Sequence, residues 1–468
     1  MEINKGEYFM KVLLLNLVMI VLFIGNSFAQ SEVLTLDNCI EIALKNNPTI
    51  VRTLNNDASA DEDVLGSYSG ILPNVNLSAS SGRYQAGARE LEQDVPVGID
   101  PLDTTKVIYQ RQVITQQGYI TDFNNFGVSV SQNIFDGGEW WQAIGYAKSL
   151  KRSSEYNLQS VINSTVLSTQ EAFFNLLKQM KLREVNQLAV SRSEDNLNKT
   201  QKMYELGAVA KVDVYRSKVN LGNDKIQLLL QENSLLTAKQ NLNLVMGRDP
   251  QTPYQIQPEF QLPEAFPGVD ELFQQALESS PDIKKGAEDI NAYDLNVSRS
   301  YAVLWPSLGA FFNYNRSNEG IERVYSGWDK NWNINWGLSL RLNIFNGFND
   351  KVRIQKNKLA LRNVQATFEE EKRKLKSDLA QAVDNFNSYL EIIQINEENL
   401  EAAQEEHRLA EERYRIGSGT ALEVREAQVN LTRAEQTLVA AKYNARMTQA
   451  QVEQALGIIY QKQRESAE

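Results

Sequence analysis

The sequence contains one cysteine and one histidine in 468 residues, a scarcity that limits the chemistry available to the protein. Thiol and imidazole groups hold most zinc and transition-metal sites, so we expect neither a metal site of that kind nor any other cofactor. A single cysteine also excludes a disulfide within the chain. Basic residues are outnumbered, with 48 lysines and arginines against 59 acidic residues. The net charge of −11 argues against a nucleic-acid partner, because nucleic-acid phosphates would be repelled.

Long apolar runs are confined to the N-terminus. The run Lys11–Phe28 follows a positively charged residue and ends in small residues, which predicts a secretory signal at 1–29, cleaved after Ala29. Met10, directly before Lys11, is interpreted as a better start of the chain than Met1. No later run reaches 18 apolar residues, so the sequence predicts that any membrane crossing of the mature chain is made by strands.

Proline is missing from two long stretches, 138–206 and 348–416. Each would extend roughly 100 Å if it were continuously helical. Apolar residues recur at a spacing of seven, as at Val212, Val219 and Ile226 in the first half of the chain. This period predicts left-handed coiled coils with polar residues on the remaining faces.

The two halves of the chain repeat each other. "ALKNNPTI" at Ala43 matches "ALESSPDI" at Ala276, an offset of 233, and "NIFDGG" matches "NIFNGF" at an offset of 210. "YELGAVAKVDVYRSKVNL" at Tyr204 matches "YRIGSGTALEVREAQVNL" at Tyr414, again at 210. We therefore predict two structural repeats. The predicted divisions are a first repeat at 30–250, a linker at 251–267, a second repeat at 268–457 and a tail at 458–468.

Each repeat is predicted to contain two strands with alternating apolar and polar residues, followed by a helical hairpin. The strands are placed at 71–84, 124–135, 304–315 and 333–345, and the hairpins at 138–247 and 348–457. The segment Gln85–Asp122 between the first two strands is interpreted as a long extracellular loop.

All six tryptophans lie at these strands or beside them, which is typical of the aromatic girdles of membrane barrels. We expect them at the membrane interface: Trp140, Trp141, Trp305, Trp328, Trp332 and Trp336. A soluble sandwich would not need this clustering. Four strands cannot close a barrel, and an open sheet edge is not stable in lipid. The predicted fold is therefore an α+β membrane protein, a trimeric 12-stranded β-barrel that continues into a long α-helical coiled-coil tunnel.

In signal sequence, duplicated halves, strand number and long hairpins, the chain resembles the outer-membrane efflux proteins, the TolC-like family. The resemblance covers nearly the whole mature chain. It implies a homotrimer in the outer membrane with a long periplasmic extension. It also implies contacts with a periplasmic adaptor and an inner-membrane pump, and passive export of small molecules.

The segment "YRIGSGTALEVREAQ" resembles the periplasmic aperture segment of that family. The resemblance implies a gate tyrosine at Tyr414, aperture acids at Glu423 and Glu426, and a further acid at Asp213. Threefold symmetry would turn the two glutamates into carboxylate rings that favour cations. The family's aperture arginine falls on Gly419, which departs from the pattern. Adaptor-contacting tips are implied at Leu206, Gly207, Ile416 and Gly417.

Three other functions are weighed against this one. A type I protein secretion channel would share the architecture, and a structural coiled-coil trimer would share the helices but would not need the strands. An enzyme is not expected, because no nucleophile elbow or phosphate-binding loop is found. The single His407 lies in a charged run and is expected to be solvated.

Overall fold

The computed structural model describes residues 32–258, 260–261 and 265–467. The predicted signal sequence at 1–29 lies outside the described residues. The chain divides into two compact units. A sheet unit consists of Ala60–Lys151 and Asp289–Gln365, and a helical unit contains the remaining described residues.

The helices of the described residues are α1 (Leu36–Asn46), α2 (Pro48–Ser67), α3 (Glu139–Glu205), α4 (Lys211–Val245), α5 (Val269–Ser279), α6 (Pro281–Tyr301), α7 (Ile321–Tyr325), α8 (Asn349–Arg415), α9 (Ala421–Ala455) and α10 (Ile459–Ala467). The strands are β1 (Glu32–Leu34), β2 (Asn74–Ala86), β3 (Arg89–Asp100), β4 (Asp103–Gln116), β5 (Tyr119–Phe135), β6 (Tyr254–Ile256), β7 (Ser307–Asn318) and β8 (Trp332–Arg341). Among the described residues, no helix combines the length and apolar character needed to cross a membrane.

The internal duplication predicted from the sequence is confirmed by the helices. The long helices α3 and α8 each contain 67 residues, and their partners α4 and α9 each contain 35. Both pairs are related by the offset of 210. The short helices α1 and α5, of 11 residues each, are related by the offset of 233. The repeat therefore extends to the helix boundaries.

The central sheet is four-stranded and antiparallel, with the strand order β2-β5-β7-β8. Its strands begin and end close to the predicted positions, with two systematic differences. β2 and β7 begin after Pro73 and Pro306, because proline has no N–H to donate to a neighbouring strand. β8 ends at Arg341, so Leu342–Phe345 lie beyond it.

The prediction that Gln85–Asp122 is a loop was wrong. This segment forms β3 and β4, which pair with each other as a separate antiparallel hairpin. The hairpin is interrupted at Pro96–Gly98 by a register shift. Its residues are mostly exposed on both faces. Apolar residues alternate along β3, but in β4 they are adjacent, at Val107–Tyr109 and Val113–Ile114, so the segment as a whole lacks a period of two.

The predicted linker and tail are also more regular than expected. β6, within the linker, pairs in parallel with β1 near the start of the described chain. The tail forms α10, which packs on the main core of the helical unit through Ile459. The same core contains Cys39, which is fully buried, together with Phe173, Leu242 and Met246.

Glycines with positive φ end the four long helices of the duplicated hairpins. These glycines are Gly207 (φ 72°), Gly247 (φ 70°), Gly417 (φ 79°) and Gly457 (φ 77°). A Cβ on Gly417 would meet open space, whereas one on Gly457 would lie 2.7 Å from Cδ of Pro281 and 3.0 Å from Cα of Ser280. The two positions therefore share the conformational requirement but differ in packing.

We predict that Gly457→Ala lowers the free energy of unfolding by about 1–3 kcal/mol more than Gly417→Ala. Both variants incur the strain of a left-handed alanine, about 1–2 kcal/mol, but only the first forces backbone atoms apart. Thermal unfolding followed by circular dichroism measures the difference. Equal melting temperatures for the two variants would contradict the packing argument.

Candidate functional site

The turns that join the long helices have the same hydrogen bonds in both repeats. The amide of Gly207 donates to the carbonyl oxygen of Tyr204 at 2.9 Å, and that of Gly417 donates to Tyr414 at 3.1 Å. In each turn the next amide donates to the carbonyl five residues back, which completes a Schellman motif. The motif needs a left-handed residue, a requirement that glycine meets without strain.

The residues immediately before these glycines are the apolar tips of the two hairpins. Leu206 is 85% exposed and Ile416 is 72% exposed. Neither side chain is covered by its own chain. The hairpin tips thus present apolar groups on rigid turns.

Tyr414 lies inside the helical unit, with 6% of its surface exposed. Its hydroxyl lies 3.3 Å from Oγ1 of Thr200 on α3, and the hydroxyl of Ser217 on α4 donates to the same Thr200 oxygen at 3.4 Å. The residue that the family resemblance assigns to the gate therefore contacts α3 of the first hairpin directly, and it is connected to α4 only through Thr200.

Two of the predicted aperture acids, Asp213 and Glu423, lie in the first turns of α4 and α9, and Glu426 lies in the second turn of α9. The carboxylate of Glu423 lies 3.4 Å from Nη1 of Arg413. The backbone amide of Glu423 donates to Oγ1 of Thr420, the N-cap of α9, at 3.2 Å. Asp213 lies 3.4 Å from Arg216 on its own helix. Glu426 is exposed. Among the described residues, no hydrogen bond or ion pair joins Asp213 to the two glutamates.

Gly419, at the position of the family's arginine, is tightly packed against the end of α8. A Cβ there would lie 3.0 Å from Cβ of Arg413 and 3.1 Å from the backbone nitrogen of Tyr414. Arg413 instead supplies the local cation, donating to the carbonyl of Ser418 at 3.2 Å and pairing with Glu423. The sequence comparison missed this residue because it precedes the turn rather than following it.

Arg425 forms the main polar link between the hairpins. Its guanidinium donates to both carboxylate oxygens of Asp224 on α4, at 2.6 and 2.9 Å, and to Oγ of Ser193 on α3 at 3.3 Å. Ser193 donates to Asp224, and the buried Gln428 donates to Ser193 at 3.0 Å. The Arg425 and Asp224 side chains are only 20% and 13% exposed. We call these four residues the Arg425 network.

Further ion pairs connect the hairpins nearby. Arg192 of α3 pairs in bidentate fashion with Glu435 of α9 at 2.6 and 3.1 Å, and Lys199 pairs with Glu411 of α8 at 3.0 Å. His407 lies among these charges and is half-buried rather than fully solvated. Burial lowers the pKa of its imidazole below the usual range, which favours the neutral form at pH 7.

The sheet has one apolar face and one polar face, as the pairing register shows. Val75, Val130, Phe312 and Trp336 form one row across all four strands. The next row, on the opposite face, consists of Asn76, Ser129, Asn313 and Asn335. The rest of the chain leaves most of the apolar face uncovered, except at Phe126 and Arg316, which α7 and the turn after it cover. The exposed members of this face include Val75, Leu77, Phe312, Ile334, Trp336, Leu338 and Leu340.

The six tryptophans take different places in the sheet unit. Trp140 and Trp141 begin α3 with ring centroids 4.1 Å apart, and Trp305 precedes β7. Trp328 lies in the turn before β8, and Trp332 is the first residue of that strand. Trp336 lies in the middle of β8, opposite Phe312, rather than at a strand end. Five of the six are exposed, and Trp140 is half-buried.

A two-faced four-stranded sheet combined with two copies of a long helical hairpin defines a known class of fold, that of outer-membrane channels. The structure superposes on the CmeC outer membrane channel of Campylobacter jejuni with a TM-score of 0.74 at 18% identity, covering 91% of this chain and 86% of that one. VceC of Vibrio cholerae gives 0.72 at 16% identity, with 90% and 96% covered. The chain belongs to the outer membrane efflux protein family, whose model matches residues 39–248 and 272–458.

Relatives of known name are similar at low identity. The probable efflux pump outer membrane protein TtgC of Pseudomonas putida is 22% identical over 309 residues, which is 65% of this chain. The chain spans 63% of the length of that relative. The outer membrane protein TolC of Escherichia coli is 21% identical over 455 residues, covering 93% of this chain and 84% of its own.

Proposed function

We propose that the protein is a passive outer-membrane channel that assembles as a homotrimer. The observation that carries this proposal is the central sheet, which has an exposed apolar face, a polar face and two unpaired edge strands, β2 and β8. In lipid the free hydrogen-bonding edge of each outer strand needs a partner. Each chain has two such edges, one on β2 and one on β8. Three copies would bring twelve strands, with apolar groups towards lipid and polar groups towards a water-filled interior. The six tryptophans would then contribute to its lipid contacts.

A second apolar surface supports assembly of several copies. Val212, Val219 and Ile226 recur every seven residues along α4 and are all more than half exposed. The equivalent positions of α9, Leu422 and Val429, are also exposed, at 60% and 37%. Because a coiled-coil seam is stable only against another helix, we infer that α4 packs against a neighbouring copy.

The hairpin tips form the proposed aperture and adaptor contact. In a trimer, Glu423 and Glu426 would form carboxylate rings, with Asp213 at the adjacent tip. Arg413 would moderate the charge of Glu423, since the two already pair at 3.4 Å. Leu206 and Ile416, beside Gly207 and Gly417, would supply apolar contacts to a periplasmic adaptor that connects the channel to an inner-membrane pump.

The proposed cargo is small toxic molecules. Relatives are named for the efflux of antibiotics and of toluene, which supports this choice. Deletion of the gene should therefore sensitise cells to such compounds. Unchanged susceptibility across a panel of antibiotics and solvents would count against this cargo.

The channel itself is tested without knowing the cargo. The purified protein should be extracted from outer membranes by detergent, have the mass of three chains by light scattering, and conduct ions in a planar bilayer. Recovery as a monomer from the periplasmic fraction, with no conductance, would rule the proposal out.

We predict that Glu423→Gln combined with Glu426→Gln lowers the cation preference of the channel, because it removes two proposed carboxylate rings. Reversal potentials under a salt gradient measure the preference. The matched control is Glu398→Gln with Glu401→Gln, an exposed pair with the same spacing on α8. Equal effects of the two double variants would place the selectivity elsewhere.

A further inference from the structure

The side chain of Arg316 is fully buried on the apolar face of the sheet, where a positive charge is unexpected. It lies on β7 between Phe126 of β5 and Trp332 of β8, and 0% of its surface is exposed. Buried arginines are ordinarily paired with carboxylates. Among the described residues, no acidic side chain forms an ion pair with this one. Neither the sheet nor the proposed aperture accounts for this charge.

The hydrogen bonds of the guanidinium are distributed unevenly. Nη2 contacts three carbonyl oxygens, those of Arg323 at 3.2 Å, Ser326 at 2.8 Å and Gly327 at 2.9 Å. It has only two N–H groups, so these acceptors compete. Nε and Nη1 are buried and have no acceptor at all. Three N–H donors of a charged group are thus left unused, which is a costly arrangement unless an anion supplies the missing oxygens.

The cover over Arg316 is thin. It consists of the five-residue helix α7 and the turn after it, and the ring of Trp328 stacks on the guanidinium at 4.5 Å. The ring of Tyr325 contacts Phe126 with centroids 6.2 Å apart, so α7 lies on the apolar side of the sheet. Trp328 is 61% exposed. Rotation of this one side chain would open a path to the arginine.

The surroundings of this cover fit a lipid interface. Ile321, Tyr325, Trp328 and Trp332 are all exposed around it. Aromatic side chains of this amphipathic kind concentrate where hydrocarbon meets headgroups. The unused donors of Arg316 therefore lie at the level where the phosphates of membrane lipids would be found, if the apolar face meets lipid as proposed above.

We propose that Arg316 is the centre of a binding site for the phosphate ester of a lipid headgroup. Nη1, which has no acceptor in the chain, donates to the phosphate oxygens in charge-assisted hydrogen bonds. Trp328 moves aside to admit the phosphate, and the lipid chains lie along the apolar face. The site rests on the proposed function in one respect, because it needs that face to contact the membrane.

The test is native mass spectrometry of the detergent-purified protein with two lipids of equal acyl chains, dioleoylphosphatidylglycerol and dioleoylglycerol. We expect the phosphate-bearing lipid to bind at least ~10-fold more tightly. Arg316→Gln should lower its affinity by about 10-fold. The matched control, Arg341→Gln, removes the same charge from an exposed side chain at the other end of the β7–β8 pairing and should leave the affinity within about twofold.

Three outcomes would overturn the site. These are equal binding of the two lipids by the unaltered protein, equal loss in both arginine variants, or unchanged affinity in Arg316→Gln. The first comparison needs no variant, so it decides even if Arg316→Gln does not fold.

Adding inorganic phosphate distinguishes a lipid headgroup from free phosphate as the ligand of the site. Displacement of the lipid assigns the site to free phosphate, and retention assigns it to the headgroup. Ion conductance of the same preparation separates failure of this site from failure of the channel.

Discussion

Replacing Arg425 by methionine should raise the single-channel conductance several-fold, because it removes the main polar link between the two hairpins. Arg425 donates to both oxygens of Asp224 and to Ser193, and the pair is mostly shielded from water. Hydrogen bonds to charged groups contribute about 1.5–3 kcal/mol each. Losing the link should therefore shift a closed–open equilibrium at the hairpin tips by about 10- to 100-fold.

The control for this variant is Lys442→Met. Lys442 lies on the same helix, α9, and pairs with Glu397 at 2.8 Å, but Glu397 belongs to the same hairpin. Removing that pair leaves the contact between hairpins intact, so the conductance should stay near that of the unaltered channel. If both methionine variants conduct alike, the Arg425 network has no part in closing the aperture.

The second large effect is expected on the central sheet. Leu338→Arg should abolish insertion of the folded protein into membranes, whereas Ser339→Arg should insert. Leu338 is 69% exposed on the apolar face, and Ser339 pairs with Gly309 on the polar face. An arginine facing the middle of the bilayer costs about 2–4 kcal/mol in a barrel. Each assembled trimer would incur this cost three times.

The measurement is the fraction of protein that remains in the membrane pellet after alkaline extraction, together with folding into lipid vesicles under a urea titration. The neighbouring positions make the test specific, because an exposed leucine on a soluble domain would tolerate arginine as readily as an exposed serine does. Equal insertion of both variants would contradict a lipid-facing role for this face of the sheet.

Much of the fold could be predicted because the two halves of the chain repeat one pattern and can be compared with each other. Equal offsets between the two halves locate the turns at Gly207 and Gly417, since a helix in register tolerates no insertion between matched positions. Alternation located the four strands of the central sheet for a related reason. Each of those strands separates an apolar face from a polar one, so the period of two is present in the sequence.

The remaining features depend on contacts between distant parts of the chain. Arg425 and Asp224 are 201 residues apart, and neither lies in a pattern that indicates the other. Tyr414 could be aligned with a gate residue, but its burial against Thr200 follows from the packing of two hairpins. The β3–β4 hairpin escaped prediction because both of its faces are exposed and Pro96 interrupts one strand.

The junction below that hairpin has a practical consequence. Ala86, the last residue of β2, pairs with Tyr119, the first residue of β5. The separate pairing of β3 with β4 begins at Arg89 and Gln116. Gly87 and Gly118 lie in the interval on either strand. Excising 88–117 would join these glycines directly, and Gly-Gly is a favoured two-residue connection between antiparallel strands. The β3–β4 hairpin can therefore be replaced between Gly87 and Gly118 by peptide tags or foreign epitopes while the pairing of β2 with β5 is kept.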